Sequence, residues 1–302
     1  MENNSNRKIY KSGFVATLGK PNVGKSTLIN SLLGQKIAAV SARPQTTRKR
    51  QLGILTTEEV QIIFVDTPGL HQARNKLGEN MNKEANDVMQ ESDLILWIAD
   101  VSQPPDSEDL MIVDLIKDLK QSIPMVIAMN KTDLVDVQEH ELRAELFSTL
   151  LPQAQTILIS AKTGYNLDQL IHTITRLLPA GEPFYPMGQI TDLYEREISA
   201  DLIREAALNL LRDEVPHGIA IRIDEFKERN EHGAYIEATV FVEKDSHKGI
   251  VIGQGGSMLK QIGSAARHEI EAMSGRSVYL RLRVKVRKNW RNDERVLRWF
   301  GY

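Results

Sequence analysis

The run Gly19-Lys20-Pro21-Asn22-Val23-Gly24-Lys25-Ser26 fits the spacing G-x-x-x-x-G-K-[ST] at every fixed position. It follows an apolar run, FVATL, and opens an amphipathic one, STLINSLL, which is the strand-to-helix setting in which this spacing cradles phosphate. Gly19 and Gly24 allow turns that point successive backbone N–H groups at phosphate oxygens, and the N-terminal end of the helix adds its partial positive charge. Lys25 reaches the β- and γ-phosphates as a point charge, while the Ser26 hydroxyl is placed to coordinate Mg2+. Average composition produces such a match by chance in roughly one chain of this length in a hundred.

Selection of the base needs a second element. Asn130-Lys131-Thr132-Asp133 ends the apolar strand PMVIAMN, at the edge where open α/β sheets bind ligands. The Asp133 carboxylate accepts from the ring N–H and exocyclic amine of guanine, whereas adenine presents an acceptor there and is repelled. On its own NKTD reads more readily as a solvated turn or helix cap, and it gains its meaning from following a phosphate loop. Asp66-Thr67-Pro68-Gly69 ends another apolar strand, QIIFVD, where the carboxylate holds Mg2+ through water and the Gly69 N–H meets a γ-phosphate. Thr46 and Thr47, in the polar loop 40–50, offer a further hydroxyl to the metal, and such a loop orders with triphosphate and loosens after hydrolysis. Ser160-Ala161-Lys162 follows the strand ILIS and closes over the base.

Residues 19–26, 46–47, 66–69, 130–133 and 160–162 resemble, in order, the five G motifs of translation-factor-class GTPases. The variants GxPNVGKST, QTTR and DTPG are most similar to the Era branch of that class. The resemblance implies nucleotide contacts along 19–27 (Thr27 included) and at Asp66, Thr67, Pro68, Gly69, Leu70, Asn130, Lys131, Thr132, Asp133, Ser160, Ala161 and Lys162. It implies GTP/GDP and Mg2+ as cofactors, with Ser26, Asp66 and Thr46 or Thr47 at the metal, and catalytic roles for Lys25, Thr47 and Gly69. Leu70 stands where Ras-like proteins carry a water-positioning glutamine, so intrinsic hydrolysis is expected to be slow, supported by Mg2+, Lys25 and backbone N–H groups. Asn22 matches an asparagine that relatives associate with a K+ ion acting in place of an arginine finger.

A second constellation lies near the C-terminus. Gly253-Gln254-Gly255-Gly256 is a G-x-x-G run between an apolar helical turn and the helix SMLKQIGSAARHEIEAM, a setting that brings a nucleic-acid backbone close to the main chain. Lys244, His247 and Lys248 precede it as phosphate contacts. In VYLRLRVKVRK the even positions are apolar and the odd ones carry Tyr279, Arg281, Arg283, Lys285 and Arg287, a strand that buries one face and presents cations on the other. Trp290, Trp299 and Phe300 are read either as base-stacking platforms or as core. The VIGQGG run and the order helix–strand–strand–helix–strand resemble the type II KH fold over about 192–290. Together with the G motifs, this implies a bacterial ribosome-assembly GTPase that binds 16S rRNA near its 3′ end on the 30S subunit. A monomer is expected, cytoplasmic and peripherally associated with the anionic inner membrane. The rival readings are a constitutive KH RNA-binding protein with a structural nucleotide site, and a tRNA-modification GTPase, against which the KH module and the lack of cysteine speak.

The elements that must position these groups follow from patterning. Strands are predicted at 13–18, 51–55, 61–66, 94–100, 125–130 and 156–160, with helices at 25–33, 78–92, 107–120, 138–150 and 167–178. This is an α/β, doubly wound, mainly parallel sheet. Three Pro and two Gly in 178–190 read as a linker, giving a G domain over 1–180, a linker over 181–190 and an α+β KH domain over 191–302. In that domain helices are predicted at 192–211 and 257–273 and strands at 219–223, 236–242 and 278–286. At 302 residues, 41% hydrophobic and 26% charged, the composition is that of ordinary folded domains and excludes wholesale disorder. Absence of cysteine excludes disulfides and thiolate chemistry. The net charge of −2 conceals a segregation: residues 276–302 carry nine basic and two acidic side chains, leaving the rest acidic, so an anionic partner is expected at that end. Replacement of Lys25 by Ala is expected to abolish multiple-turnover GTP hydrolysis, followed as phosphate release; turnover undiminished in the variant would reject the catalytic assignment.

Overall fold

The computed structural model describes residues 9–41, 43, 46–119, 121–228 and 233–302. Its elements run β1 (Lys11–Leu18), α1 (Lys25–Leu33), β2 (Gln51–Thr56), β3 (Val60–Asp66), α2 (Lys76–Glu91), β4 (Leu94–Asp100), α3 (Ser107–Lys117), β5 (Met125–Asn130), α4 (His140–Ser148), β6 (Gln155–Leu158) and α5 (Leu167–Leu177). They continue through α6 (Glu195–Leu210), β7 (Ala220–Glu228), β8 (Gly233–Val242), α7 (Asp245–Ile252), α8 (Ser257–Ser274), β9 (Ser277–Val286) and α9 (Glu294–Phe300).

The first six strands form one sheet in the order β2-β3-β1-β4-β5-β6, parallel except for β2, which runs antiparallel to β3. Every residue of β3 and β4 is buried, as continuous apolar runs covered on both faces require. Because β1 sits between β3 and β4, the chain reverses its winding there. The register pairs Thr17 with Asp66, Leu18 with Trp97 and Asp100 with Asn130. The loops after these strands therefore emerge side by side at one edge, the crevice that a doubly wound sheet offers a ligand.

The chain packs as two compact units, one of 9–34, 50–70 and 83–192, the other of 35–49, 71–82 and 193–302. This division differs from the boundaries expected at 180 and 190. The proline-rich stretch is held to the first unit: the Gln61 side chain accepts from the Phe184 and Tyr185 N–H groups at 2.7 and 2.9 Å and donates to the Tyr185 carbonyl at 2.9 Å. Ile54 N–H donates to the Ile190 carbonyl at 2.8 Å. Asp192, expected to start a helix, instead accepts from the Leu52 N–H at 3.1 Å. Helix α6 begins three residues later, where the Glu197 carboxylate accepts from the Tyr194 N–H.

In the second unit the sheet order is β7-β8-β9, with β7 antiparallel and β9 parallel to β8. Its core joins Leu202 and Ile203 of α6, Ile262 and Ile270 of α8, and Ile236, Ala238 and Val240 of β8, with Leu280, Leu282 and Val284 of β9 packed against them. The alternation of β9 holds: its odd positions are exposed. Two helices escaped the sequence reading, α7, too short for a full periodic signature, and α9, whose start is capped by Asp293 accepting from the Arg295 N–H at 3.0 Å.

The tail aromatics divide. Trp290 is 0% exposed and Phe300 7%, and they pack edge to face with ring centroids 5.2 Å apart, so neither is presented for base stacking. The Trp290 indole N–H donates to the Gly218 carbonyl at 2.9 Å. Trp290→Ala should destabilise the second unit by about 3–5 kcal/mol, measured as an earlier urea midpoint of its unfolding transition.

Candidate functional site

The loop after β1 carries the phosphate-binding geometry. Gly24 has φ +101°, and a Cβ there would lie 2.4 Å from the Asn130 amide nitrogen, so glycine is required both by conformation and by space. Asn22 also adopts positive φ, +67°. Helix α1 starts with no side-chain cap and no acid in its first turn, so no carboxylate of its own first turn offsets the partial positive charge of its N-terminal end. The Lys25 ammonium is buried and donates to the carbonyls of Gly19 and Lys20 at 2.9 and 3.1 Å.

Asp66, 1% exposed at the tip of β3, accepts from the Ser26 hydroxyl at 3.0 Å. A hydroxyl and a carboxylate brought together at the start of the helix form a hard oxygen donor set suited to Mg2+. Thr67 donates to the Thr17 carbonyl at 2.7 Å, fixing the strand ends. A Cβ on Gly69 would lie 3.1 Å from the Pro21 nitrogen, so the two loops approach closely. Leu70 is 1% exposed and belongs to the core with Leu18 and Trp97, so its side chain does not face the site and any nucleotide contact there falls to its backbone. Val23 is likewise core.

At the base-selecting end, Asn130 acts as a pin: its amide donates to the Val23 carbonyl at 2.7 Å, and its oxygen accepts from the Ala161 N–H at 2.9 Å. Both ends of its side chain are thus committed to backbone, and it joins two loops rather than presenting itself to a base. Asp133 is exposed and accepts from the Ser160 hydroxyl at 2.7 Å, which fixes the orientation of the carboxylate. Thr132 donates to the Ile159 carbonyl at 3.0 Å, the Ala161 carbonyl accepts from Ser31 at 2.7 Å, and Lys162 is exposed. Thr46 and Thr47 belong to the segment that packs with the second unit, where the Thr46 hydroxyl donates to the Arg43 carbonyl at 2.8 Å and Arg204 donates to the Thr46 carbonyl.

The second unit carries a cleft of about 490 Å3 between α8 and the edge strand β9, lined by Gly256, Leu259, Lys260, Gly263, Ser264 and Arg267 on one side and by residues 278–282 on the other. An unpaired strand edge beside an apolar floor, rimmed by Lys260, Arg267 and Arg281, offers backbone groups and cations to a single strand of nucleic acid. The G-x-x-G turn opens it: Gly253 has φ +71°, and a Cβ there would meet Met258 at 2.8 Å. Gln254 and Gly255 are exposed, as are Lys244 and Lys248, but His247 is only 5% exposed and is not available as a phosphate contact. The cation ladder carries less excess charge than its sequence suggests. Glu237, opposite Arg281 in the register, pairs with Arg281 at 4.0 Å and with Arg283, while Lys285 and Arg287 are exposed. Trp299 is 49% exposed, and Arg222 lies over its ring at 4.3 Å.

The sequence matches the family described as "50S ribosome-binding GTPase" over residues 14–131 and the KH domain family over 214–291. It is 44% identical to the GTPase Era of Heliobacterium modesticaldum over 97% of both chains. The chain belongs to the Era family of GTPases. Among solved structures, Era in complex with MgGDPNP and nucleotides 1506–1542 of 16S ribosomal RNA is similar at 40% identity with a TM-score of 0.92, covering 97% of this chain and 99% of that one. A variant of Aquifex aeolicus Era bound to GDP and AlF4− gives the same identity, coverage and TM-score. The chain is accordingly a GTPase whose P-loop domain is followed by a KH domain.

Sequence reading of this Era-family chain missed two groups of residues. Lys260, Gly263 and Arg267 were read only as part of a helix; their i, i+3, i+7 spacing on one face of α8 was the available signal. The acids at the end of β4 and the start of α3 were not read at all, although Asp100 accepts from the Lys131 ammonium at 2.5 Å, and Asp106 and Asp109 lie 2.7 and 2.8 Å from the Lys20 ammonium.

Burial lowers the Lys25 ammonium to about 8, with the Asp66 carboxylate pulling the other way. An incoming phosphate favours the charged form, so binding near this pH draws in protons and affinity falls as pH rises through it. GDP binding at pH 8 is expected to take up roughly half a proton, as about half of Lys25 is neutral beforehand; calorimetry in buffers of different ionisation enthalpy measures it.

Proposed function

We propose that this GTPase is a nucleotide-switched RNA-binding protein that binds 16S rRNA near its 3′ end and assists maturation of the 30S subunit. The observation that supports the reading is the joining, in one chain, of a guanine-nucleotide site to a KH cleft with an open strand edge. It is strengthened by the likeness to an Era holding both MgGDPNP and a 16S fragment.

In the proposed reaction, Asp133, oriented by Ser160, selects guanine. The α1 N-terminal N–H groups and Lys25 hold the phosphates, and the Gly69 N–H stabilises charge on the γ-phosphate as water attacks. Ser26 and Asp66 would hold Mg2+, which supplies charge neutralisation between the β- and γ-phosphates. Thr47, or Thr46 in its place, joins that set when loop 40–50 orders around triphosphate. Asn22 is proposed to hold a K+ ion, so hydrolysis should run faster in KCl than in NaCl, and equal rates would remove this role.

The released loops, 40–50 and the stretch after Gly69, are the proposed route by which nucleotide state reaches the KH domain. Linkage then requires that RNA alter nucleotide affinity by the same factor. The protein is proposed to act as a cytoplasmic monomer, its cationic tail making peripheral contact with anionic lipid of the inner membrane. Among the described residues no helix is long and apolar enough to cross a membrane.

An RNA ending in the 3′ region of 16S rRNA should bind about tenfold more tightly with a GTP analogue than with GDP. Paired Gly253→Asp and Gly256→Asp replacements should abolish that binding while leaving GDP affinity intact. Equal RNA affinity in all nucleotide states, measured by titration, would reject the switch.

A further inference from the structure

We propose that Tyr279 of β9, held flat against Tyr235 of β8, is a stacking platform for one base of a single-stranded RNA where the strand leaves the cleft between α8 and β9. This rests on the reading of that cleft as a nucleic-acid site. Leu280, Leu282 and Val284 of β9 pack into the core with α6 and α8, so Tyr279 and the other odd positions stand on the opposite face of the sheet. There the parallel register sets Tyr279 directly beside Tyr235. Their rings are stacked, with planes 10° apart and centroids 5.6 Å apart.

A cross-strand aromatic pair steadies a sheet through such a contact, which accounts for the face of the Tyr279 ring that is turned toward β8. It does not account for the rest, because Tyr279 remains 62% exposed. Among the described residues β9 is the last strand of its sheet, so the other face of the ring turns past the open edge. The same edge borders the cleft, whose lining includes both Gly256 and Tyr279. A strand running from the G-x-x-G turn along the cleft therefore meets an aromatic ring at the rim, and every base has a face that can stack on it. The platform is oriented in advance: Tyr279 lies against Tyr235, whose hydroxyl donates to the Glu237 carboxylate at 2.9 Å, so adding a base freezes little further side-chain freedom. The surrounding charge suits a phosphate backbone. On this face Arg281 and Arg283 share the one carboxylate of Glu237, Lys227 pairs with Glu225 and Arg222 with Asp224, and Lys285 is exposed. Cations thus outnumber acids around the ring even after every pairing is counted.

The test uses the full-length protein as wild type, Tyr279→Phe, Tyr279→Leu and the paired Gly253→Asp, Gly256→Asp variant. The probe is a single-stranded RNA from the 3′ region of 16S rRNA, intact and with each base in turn replaced by an abasic site, titrated in the presence of a GTP analogue. Tyr279→Leu is expected to weaken binding of the intact RNA about five- to a hundredfold, the range of one base–aromatic stack, and Tyr279→Phe to leave it within about twofold. One abasic position should cost the wild type that same factor and cost Tyr279→Leu almost nothing, while every other position costs both proteins alike. A merely structural role for the ring would produce no such coupling to a single position. Equal losses in Tyr279→Phe and Tyr279→Leu, or no abasic position whose cost depends on residue 279, overturn the proposal. So does loss of binding to phosphatidylglycerol vesicles in Tyr279→Leu with RNA affinity unchanged. If Tyr279→Leu fails to fold, ultraviolet crosslinking of the wild-type complex decides: the crosslinked peptides must include the one that carries Tyr279, and its absence overturns the proposal equally. RNA binding that persists in the paired glycine variant overturns the cleft reading itself, whereas its loss there beside an unweakened Tyr279→Leu overturns the platform alone.

Discussion

The first unit is organised around one sparsely populated backbone conformation, the loop that leads from β1 into α1. The loop 19–24 places Gly19, Asn22 and Gly24 at positive φ, a conformation that side chains resist and that persists only where the surroundings over-determine it. Those surroundings are tertiary. Asn130 fastens the Val23 carbonyl from the end of β5, and Thr67 ties β3 to β1. The parallel register sets β1, β3, β4 and β5 level, so that their loops meet at one edge.

Electrostatics follow from the same crowding. A lysine desolvated among backbone carbonyls is cheap to neutralise until phosphate arrives, so Lys25 is poised to respond to the anion rather than to water. Two further lysines of the site are matched to carboxylates from one stretch, Lys131 to Asp100 and Lys20 to Asp106 and Asp109.

The second unit differs: among the described residues its sheet ends in an open edge at β9. The edge of β9 is flanked by α8, whose Gly263 meets Leu282 at only 3.5 Å from an added Cβ, so a larger side chain there would begin to fill the cleft. Elsewhere on the sheet, aromatic rings of the tail close over Phe241, and Glu237 pairs with the arginines of β9. The charge segregation along the chain is real, but only part of it stands free of acids.

Some of this was legible one residue at a time. The G-x-x-x-x-G-K-S run, the NKTD tetrapeptide, the G-x-x-G turn and the period-2 alternation of β9 depend on local spacing, and local spacing survives in a linear string. Sequence by itself therefore determined the doubly wound class, the GTPase family and the presence of a KH module. What it could not determine were pairings between residues far apart: Gln61 with the proline-rich stretch, Glu237 with Arg281, and Asp109 with Lys20. Nor could it say which aromatic of the tail is buried, since Trp290 and Trp299 look alike in the string while one is sealed in the core and the other half exposed. Only the tertiary structure decided those, because burial and ion pairing are properties of the surfaces that meet, and no spacing along the chain encodes which surfaces do.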